Sequence, residues 1–352
     1  MAGPFTIQTF DALTNKYYIP KLVDNFFLRS VFLGMLRKSE KTFDGGRSIQ
    51  QPISYGKSGN AGAWGGGADV LNTTFVDVAT QATHPVCYYY ASCTIPQTEQ
   101  WLNAGKAKII DLLKAQMELA ENSLTDTLGK DVFGDGSLNA NNKRRVDGLQ
   151  AIVGNGADPS IGPFGGITRV GASGPQSNPV GNAFWNANVF ACNANATVTM
   201  WKDTETIDNL TTISIKKMQF MYGFCTQGGE RPTHIITSQL AYNAYFNLLT
   251  AIQRQMSTDK VGKMGYEDGL EFNGTPVLVD DLLTQGDTNG SGKMYFLNMD
   301  HLYWRPLDSC NFKTTEFRSP ANQMMLIKFI LLMVNLTCDR PNLQGVITGI
   351  TG

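Results

Sequence analysis

The chain has 352 residues, enough for about two domains of roughly 150 residues each. Charged residues make up only 17% of it, against about 25% in a typical soluble domain. Its 29 basic and 30 acidic residues leave a net charge of −1, which argues against a dedicated nucleic-acid-binding protein with a basic domain. Because interface cores are depleted in charge, we expect much of this surface to face other protein. The alternative is an ordinary soluble surface rich in Asn, Thr and Gln.

The cysteines and apolar segments predict a soluble chain made in a reducing cytosol. The six cysteines include no CxxC pair, and several lie in apolar runs such as PVCYYYASCTI, so we expect buried, reduced thiols. The N-terminal stretch MAGPFTIQTF has neither the basic nor the apolar part of a signal peptide. The longest apolar run, residues 329–334, is too short to cross a bilayer.

The first segment, residues 1–41, is predicted to form one or two short helices. These helices cannot bury their own apolar faces, so the segment is expected to lie as an arm on something else. Its apolar residues form a first set and a second set: Tyr17, Tyr18, Ile19, Leu22, Val23, Phe26 and Phe27, then Val31, Phe32, Leu33, Met35 and Leu36.

Residues 43–95 are predicted to form a long hairpin with a glycine-rich tip. Residues 43–55 alternate like a strand in which Pro52 marks a sheet edge, and residues 75–95 return as a segment rich in aromatic and β-branched residues. An isolated hairpin is marginally stable in water. We therefore expect another part of the protein, or another molecule, to hold it.

The tip of this hairpin, residues 59–71, has the sequence GNAGAWGGGADVL, in which a single tryptophan stands among glycines. It could be a phosphate-binding loop, a linker or a docking tip. A P-loop is disfavoured because Gln51 stands where the first glycine belongs and no helix opens after Ser58. A linker would not explain Trp64 or the flanking strands. We favour a docking tip in which glycines allow close fit and the indole supplies buried area.

The clearest helical signal covers residues 97–133. Apolar residues recur there with spacings of three or four, which predicts an amphipathic helix of about eight turns. The stripe is Ile109, Leu113, Met117, Ala120, Leu124 and Leu128. The turn residues of GDGS end the pattern, and we expect the helix to act as a beam for other elements.

The rest of the chain reads as α+β, with no internal repeat and no regular βαβ units. Residues 134–205 are rich in Gly, Asn and Pro and contain strand-like fragments at 148–153 and 166–170. Helices are predicted at 208–222 and from a Ser238 cap to Arg254. The predicted strands are 234–237, 270–272, 276–279, 294–297, 312–317 and 323–338.

Motifs for catalysis or metal binding fail on inspection. Residues 131–142 resemble a calcium loop, but Phe133 and Asn142 replace two oxygen ligands. Asp280 and Asp281 follow a strand and could bind a metal, although such aspartates more often open a turn. The three histidines, His84, His234 and His301, have no metal-ligand spacing. We expect no catalytic residue, cofactor or metal, with an intracellular Cys or Asp hydrolase as a remote alternative.

The ordered set of segments resembles the major capsid proteins of tailed bacteriophages, which have the Hong Kong 97 capsid fold. The residues that carry the resemblance are RSIQQPISYG, AWGGGADVL, NAGKAKIIDLLKAQMELAENSL, DGLQAIV, FGGITR, Phe184-Trp185, PTHIITSQLAYNAY, YEDGLEFNGTPVLVDD, KMYFLNMDHLYW, SPANQ and LQGVITGI. The resemblance implies an N-terminal arm (1–47) and an extended loop (48–95). It further implies a peripheral domain (96–145 with 301–338) that contains the spine helix 97–133, and an axial domain (146–300 with 339–352).

The resemblance implies a shell protein that is not an enzyme. It would assemble through pentamers and hexamers into an icosahedral or prolate head in the bacterial cytoplasm, and would enclose double-stranded DNA with non-specific contacts. Portal, scaffold and decoration proteins are implied partners, and a membrane is not. No charged helical segment precedes the arm, so any scaffold is expected to be separate. No lysine–asparagine pair can be assigned for a crosslink, so a noncovalent shell is expected. An encapsulin-like nanocompartment of the same fold is the alternative.

The inter-subunit contacts implied by this reading lie on the loop tip and the arm. They are Trp64, Gly65, Gly66, Leu71 and Phe75 in the loop, and Tyr17, Tyr18, Phe26 and Phe27 in the arm. We expect Trp64→Ala to reduce particle yield more than it lowers the melting temperature of the free subunit. Equal loss of both would place Trp64 in the core of its own subunit.

Overall fold

The structure is a computed structural model that describes most of the chain between Ser30 and Thr351. The described residues are 30–56, 60–63, 67, 71–75, 77–102, 112–137, 144–154, 163–167, 169, 183–192, 197–199, 204–206, 213–249, 270–285, 292–320 and 323–351. Statements about the fold concern these residues.

The secondary structure is mixed along the whole described chain. The helices are α1 (Val31–Lys38), α2 (Gln97–Leu102), α3 (Leu112–Asp131), α4 (Leu149–Ile152), α5 (Ile215–Phe224), α6 (Gln239–Leu248) and α7 (Asp281–Gln285). The strands are β1 (Ser48–Ser54), β2 (Ala79–Pro85), β3 (Cys87–Pro96), β4 (Asn188–Ala191), β5 (Thr197–Thr199), β6 (Thr204–Thr206), β7 (His234–Thr237), β8 (Leu270–Phe272), β9 (Thr275–Val279), β10 (Gly292–Leu297), β11 (Leu302–Pro306), β12 (Lys313–Thr314), β13 (Met325–Cys338) and β14 (Gly345–Ile350). Short 3₁₀ turns lie at Ala183–Trp185, Met299–His301, Asp308–Cys310 and Pro341–Leu343.

One sheet is built on the long strand β13. Strand β3 pairs antiparallel with the first ten residues of β13, from Met325↔Pro96 to Val334↔Cys87, while β11 and β12 pair with its other edge. Helix α3 packs against one face of this sheet. Its residues Ala120, Leu124 and Leu128 are buried there, which confirms the predicted stripe over its described part.

The predicted spine helix is described in two stretches. Residues 97–102 and 112–131 are helical, and the stretch 103–111 between them, which includes the stripe residue Ile109, lies outside the described residues. The helix ends at Asp131, where the Gly134 N–H donates to the Asp131 carbonyl (2.9 Å). The predicted end of the helix is therefore confirmed within two residues.

A second sheet has six strands in the order β4-β14-β10-β7-β9-β8. Both of its faces are covered, and every residue of β9 is buried. One face packs against α5 and α6 and forms with them a hydrophobic core distinct from the core around α3. The residues of that core include Met218, Met221, Tyr245, Ile235, Val277, Phe296 and Ile347. The other face, with Ile236, Tyr295 and Leu297, joins the core around α3.

The predicted hairpin exists, but its returning segment is two strands instead of one. Strand β2 pairs with β1 from Ser48↔Pro85 to Ser54↔Ala79, and Pro52 lies opposite Gln81. The chain then changes partner at Val86, after which β3 belongs to the sheet of β13. The alternation of side chains continues through both strands, so the sequence pattern does not show the change of partner.

Other predicted elements differ from the structure in position or type. The fragment 148–153, predicted as a strand, contains the helix α4, and the fragment 166–170 begins in a turn at Gly165 and Gly166, both with positive φ. The predicted strand 312–317 is reduced to two residues, and the helix after Ser238 is described only to Leu248. Ser238 is its N-cap, but its side chain does not cap the helix; its hydroxyl instead accepts from the Lys293 N–H (3.3 Å).

Candidate functional site

The hairpin β1–β2 extends beyond its paired strands. The Tyr55 N–H donates to the Val78 carbonyl (2.9 Å), and the Tyr55 hydroxyl donates to the Asp77 carbonyl (2.9 Å). Farther out, the Asn60 side chain donates to the Thr74 carbonyl. Hydrogen bonds thus join the two sides as far as Asn60 and Thr74, so this part of the loop is a continuation of the hairpin.

Two of the predicted loop contacts are described, and both are exposed apolar side chains. Phe75 is 90% exposed and Leu71 is 61% exposed. The remaining predicted contacts lie outside the described residues: Trp64, Gly65, Gly66, Tyr17, Tyr18, Phe26 and Phe27. An aromatic ring that gains no burial in its own subunit is a candidate for burial against another molecule.

A second apolar surface lies on the sheet of β13, opposite α3, and sequence reasoning did not single it out. Tyr88 and Tyr90 are exposed there, opposite Met333 and Leu331 in the register, and Phe329 is exposed two residues farther along. We call these five residues the open sheet face. The alternation of VCYYYASCTI shows that two tyrosines share a face. Only the pairing with β13 shows which face no helix of the described residues covers.

A third apolar group lies where β3 ends and α2 begins. The Gln97 N–H donates to the Met324 carbonyl (3.1 Å), which ties the first residue of α2 to the start of β13. Met324, Trp101 and Leu102 are all exposed large hydrophobic residues. Their exposure so close together is unusual, because a soluble monomer rarely leaves large contiguous apolar patches on its surface.

A groove of about 470 Å³ runs between α3 and the strands β12 and β13. Met117, Phe312 and Ile330 give it an apolar floor, while Lys114, Glu118, Glu121 and Thr314 complete the lining. Its volume is within the roughly 300–1,000 Å³ of small-ligand sites. It lacks a buried group of convergent polar side chains, so its chemistry fits an inserted apolar side chain better than a polar substrate.

The Asp280 carboxylate joins the N-terminal helix α1 to the six-stranded sheet. Asp280 is fully buried at the end of β9, and its Oδ2 accepts from the Ser30 hydroxyl (2.7 Å) and the Phe32 N–H (3.1 Å). Its Oδ1 accepts from the Leu282 N–H (3.0 Å) at the start of α7. Burial raises the pKa of Asp280 above its ordinary value, although these hydrogen bonds oppose the shift. Asp280 therefore serves two helix N-termini, as expected for a strand-end aspartate that opens a turn.

Other polar groups in the described residues form structural contacts. His301 Nε2 and Arg340 Nη1 both contact Glu230 Oε2, at 3.1 and 2.7 Å, on the protein surface. Across the described part of the chain, no group of three or more His, Cys, Asp or Glu side chains is placed to hold a metal ion. None of the helices that these residues form is both long and apolar enough to cross a membrane. All six cysteines are buried, as expected, and none of them is joined to another by a disulfide bond in the part of the chain that the structure describes.

Comparison with known proteins gives matches at the level of structure. No protein-family model matches the sequence, and no curated protein sequence matches it. The cyanophage A-1(L) capsid subunit superposes with a TM-score of 0.64 at 18% identity, over 99% of each chain. This chain has a phage capsid fold. It is the Hong Kong 97-like α+β fold that the sequence predicts.

Two further matches show how widely this fold is used for shells. The capsid of the native GTA particle gives a TM-score of 0.59 at 11% identity, covering 96% of this chain and 97% of that one. The holo-SrpI encapsulin complex of Synechococcus elongatus PCC 7942 gives 0.58 at 8% identity, covering 99% and 96%. Identities this low make the likeness one of fold.

Proposed function

We propose that this chain is the major capsid protein of a tailed bacteriophage, located in the virion and assembled in the host bacterial cytoplasm. Copies would form pentamers and hexamers that close into a shell around double-stranded DNA. The observation that carries the proposal is the superposition on the cyanophage capsid subunit over 99% of both chains. Because the match covers almost all of both chains, it supports the same function for the two whole proteins. A match confined to one domain would also fit a protein of another kind.

We propose that the subunit uses its exposed apolar groups as inter-subunit contacts. Phe75 and Leu71 on the hairpin, together with Trp64, Gly65 and Gly66 of its tip, would lie on a neighbouring copy. Tyr17, Tyr18, Phe26 and Phe27 of the arm would do the same. The open sheet face offers an apolar surface of matching chemistry. Burying such groups between subunits removes apolar area from water, and this stabilises the shell relative to free subunits.

We propose the domain organisation expected from the sequence, and one of the two cores supports it. All residues of the core around α5 and α6 fall between 190 and 350 and within the proposed axial domain (146–300 with 339–352). Helix α3 and strands β11 to β13 would form the peripheral domain (96–145 with 301–338). We propose that the extended loop ends at Val86, because β3 pairs with β13 in the peripheral sheet. Residues 1–47 would be the arm.

An encapsulin-like nanocompartment is the second candidate, favoured by the superposition on the SrpI encapsulin with a TM-score of 0.58. The two functions differ in what the shell encloses. A phage shell holds nuclease-protected DNA and works with a portal, and with a separate scaffold or decoration proteins. A nanocompartment holds an enzyme.

The test is electron microscopy of the purified chain together with analysis of its contents. We expect closed particles, or pentamers and hexamers that convert to particles as the concentration rises. Nuclease-protected double-stranded DNA in particles from phage-producing cells would support the phage function, whereas a co-purifying enzyme would favour the nanocompartment. A 38.5 kDa monomer at every concentration, with or without co-expressed scaffold, would contradict both.

As a variant that should leave the fold intact, we choose Tyr90→Ser on the open sheet face. Serine removes an exposed ring without burying a charge. If the open sheet face is an inter-subunit contact, Tyr90→Ser should reduce the particle yield and leave the melting temperature of the subunit unchanged.

A further inference from the structure

The hairpin β1–β2 is anchored to the end of β13 at two separate points, and the first is its base. There the Asn335 Nδ2 group donates to the Pro85 carbonyl (2.8 Å) and to Asp147 Oδ2 (2.9 Å). Asn335 Oδ1 accepts from the Asp147 N–H (2.9 Å) and the Leu336 N–H (2.8 Å). The fully buried amide thus uses all of its donors and acceptors, so it cannot turn without losing several hydrogen bonds.

The second anchor lies farther out, on strand β1. Gln51 Nε2 donates to Oδ1 of Asp339 (2.6 Å), the residue that follows the end of β13. In the register of the hairpin, Gln51 lies opposite Ala82, which is three residues from Pro85. At about 3.4 Å per residue, the two anchors are about 10 Å apart. An anchor at the base alone would act as a pivot, whereas two separated anchors determine the direction of the hairpin.

The acceptor of the second anchor is fixed in the body of the subunit. The Asp339 N–H donates to the His301 carbonyl (3.1 Å). Burial and the neighbouring Asp339 carboxylate raise the pKa of Tyr303, whose protonated hydroxyl donates to that carboxylate. The Tyr303 ring in turn packs under Lys41 Nζ, which lies 3.6 Å from the ring centroid. Asp339 is therefore a fixed point to which the hairpin is attached.

The hairpin also contacts other segments of the body. The Thr83 N–H donates to the Gly165 carbonyl (2.8 Å), and the Tyr55 ring stacks on Phe184 with centroids 5.3 Å apart. Of these contacts beyond the base, the bond from Gln51 is the one with a carboxylate as acceptor. Hydrogen bonds to ionised groups are roughly twice as strong as those between neutral groups. We therefore expect the Gln51 bond to contribute most to holding the hairpin in place.

Gln51 takes part in its anchor as a donor. In the part of the chain that the structure describes, its buried Oε1 atom has no hydrogen-bond partner. Replacing the NH₂ group of Gln51 by oxygen therefore removes this anchor and keeps the shape of the side chain. The neighbouring Gln50 is exposed on the other side of the strand, so it offers a site for a matched control.

A small movement at Gln51 becomes a larger one at the exposed rings of the hairpin. Phe75 is ten residues from Pro85, which is about 34 Å along an extended chain. Hydrogen bonds join the two sides of the hairpin as far as Asn60 and Thr74, so the hairpin moves as one piece. Because Gln51 is only about 10 Å from the base, a shift of about 1 Å there moves Phe75 by about 3 Å.

We propose that Gln51 is a positioning residue for assembly, and that its bond to Asp339 sets the angle at which the subunit presents the hairpin to a neighbouring copy. This role rests on the proposed function, because it takes the exposed apolar side chains of the hairpin as inter-subunit contacts. A set angle allows a narrow range of curvature between neighbours, and a narrow range of curvature gives particles of uniform size. Without the bond, the hairpin pivots on Asn335 and the subunits close into particles of several sizes.

The test removes the bond and then restores it in the opposite direction. Gln51→Glu replaces the donor by a second acceptor and sets two carboxylates against each other. Combining Gln51→Glu with Asp339→Asn restores a hydrogen bond with donor and acceptor exchanged, at the net charge of the wild type. Gln51→Ala removes the donor without adding a charge. Gln50→Glu is the matched control, because it adds the same charge one residue away on the exposed side of the strand.

In the unassembled subunit, the measurement is hydrogen exchange of the Thr83 amide, whose bond to Gly165 opens when the hairpin swings. We expect Gln51→Glu and Gln51→Ala to lower its protection about tenfold, as for the loss of one hydrogen bond to a charged group. The melting temperature should fall by only a few degrees. The double variant and Gln50→Glu should keep the wild-type protection. Wild-type protection in Gln51→Ala would overturn the proposal, and so would a loss that the double variant does not restore.

In the assembled state, the measurement is the distribution of particle diameters in electron micrographs. We expect a wider distribution than that of the wild type for Gln51→Glu and Gln51→Ala, and the wild-type distribution for the double variant and Gln50→Glu. An unchanged distribution in Gln51→Ala, with Thr83 less protected, would overturn the positioning role, because the bond would then hold the hairpin without affecting the shell. A wild-type subunit that forms no particles would instead contradict the proposed function itself, and the positioning role with it.

Discussion

The exposed ring of Phe75 allows the assembly role of the hairpin to be separated from its role in folding. In the subunit this ring is 90% exposed, so Phe75→Ala removes almost no packing. Surface substitutions of this kind change the free energy of unfolding by about 0.5 kcal/mol or less. We therefore expect the melting temperature of the free subunit to stay within a few degrees of the wild-type value.

The same substitution is expected to be costly in the assembled shell. A phenylalanine buries roughly 150–250 Å² when it is enclosed. At about 25 cal/mol per Å², this area corresponds to roughly 4–6 kcal/mol. Alanine keeps part of that area, and ordering the ring in the interface has its own entropic cost, so the net loss is about 2–3 kcal/mol per contact. Since about 1.4 kcal/mol is a factor of ten, the threshold concentration for assembly should rise roughly 30- to 150-fold.

The assay is light scattering as a function of subunit concentration, run beside thermal unfolding of the unassembled subunit. Phe296→Ala is the matched control, since Phe296 in β10 is fully buried. Its truncation should cost about 3–5 kcal/mol of folding free energy and lower the melting temperature directly. An unchanged assembly threshold for Phe75→Ala would remove Phe75 from the interface. A drop in melting temperature as large as that of the control would show that the ring packs within its own subunit.

Substitutions at three further positions and one thiol-labelling experiment test the packing of the subunit. An added Cβ at Gly148 would lie 2.5 to 2.6 Å from three backbone carbonyl oxygens, so Gly148→Ala should lower the free energy of unfolding in urea by about 3 kcal/mol. Gly34→Ala, where a Cβ meets no atom within 4 Å, should instead stabilise α1 by up to about 1 kcal/mol. Asp280→Ala leaves the Ser30 hydroxyl and the Phe32 and Leu282 N–H groups without their acceptor, so it should lower the free energy of unfolding by about 3 kcal/mol in the same assay. Asp280→Asn should lower it by a smaller amount. Burial raises the pKa of Cys87 and Cys338 to about 12, so a thiol reagent at about pH 8 should label them only after unfolding; rapid labelling of the native protein would contradict their placement.

The parts of the fold that the sequence predicts well are those in which one periodicity persists over many residues. Leu124 and Leu128 lie one turn apart on α3, and both are buried as the spacing requires. The apolar run at residues 276–279 correctly predicts the strand β9, and the structure buries every residue of that strand. In each case the element needs only an apolar surface to pack against. Its type can therefore be predicted from its own sequence, without knowing which residues form that surface.

The elements that were mispredicted depend on a partner that is distant in sequence. Leu149–Ile152 is a short apolar run that fits a strand or a helix equally well. It is a helix because the Leu149 N–H donates to the Val132 carbonyl (2.7 Å), just past the end of α3, and this bond turns the chain. The open sheet face is a similar case. Tyr88 and Tyr90 alternate with buried or half-buried residues, but only the pairing of β3 with β13 shows which face the described part of the chain leaves uncovered.

The attachments of the hairpin and of α1 differ in kind from the cores, and this difference bears on function. The cores hold interdigitated apolar side chains, which resist rearrangement because any shift leaves voids. The hairpin and α1 depend in addition on hydrogen bonds of single polar groups. Asn335 donates to the Pro85 carbonyl at the base of the hairpin, and Asp280 accepts from the Ser30 hydroxyl and the Phe32 N–H of α1. Directional bonds of this kind can be exchanged one at a time as a segment changes its angle. A subunit built in this way can keep its two cores rigid while its extensions change angle, as the proposed assembly into pentamers and hexamers would require.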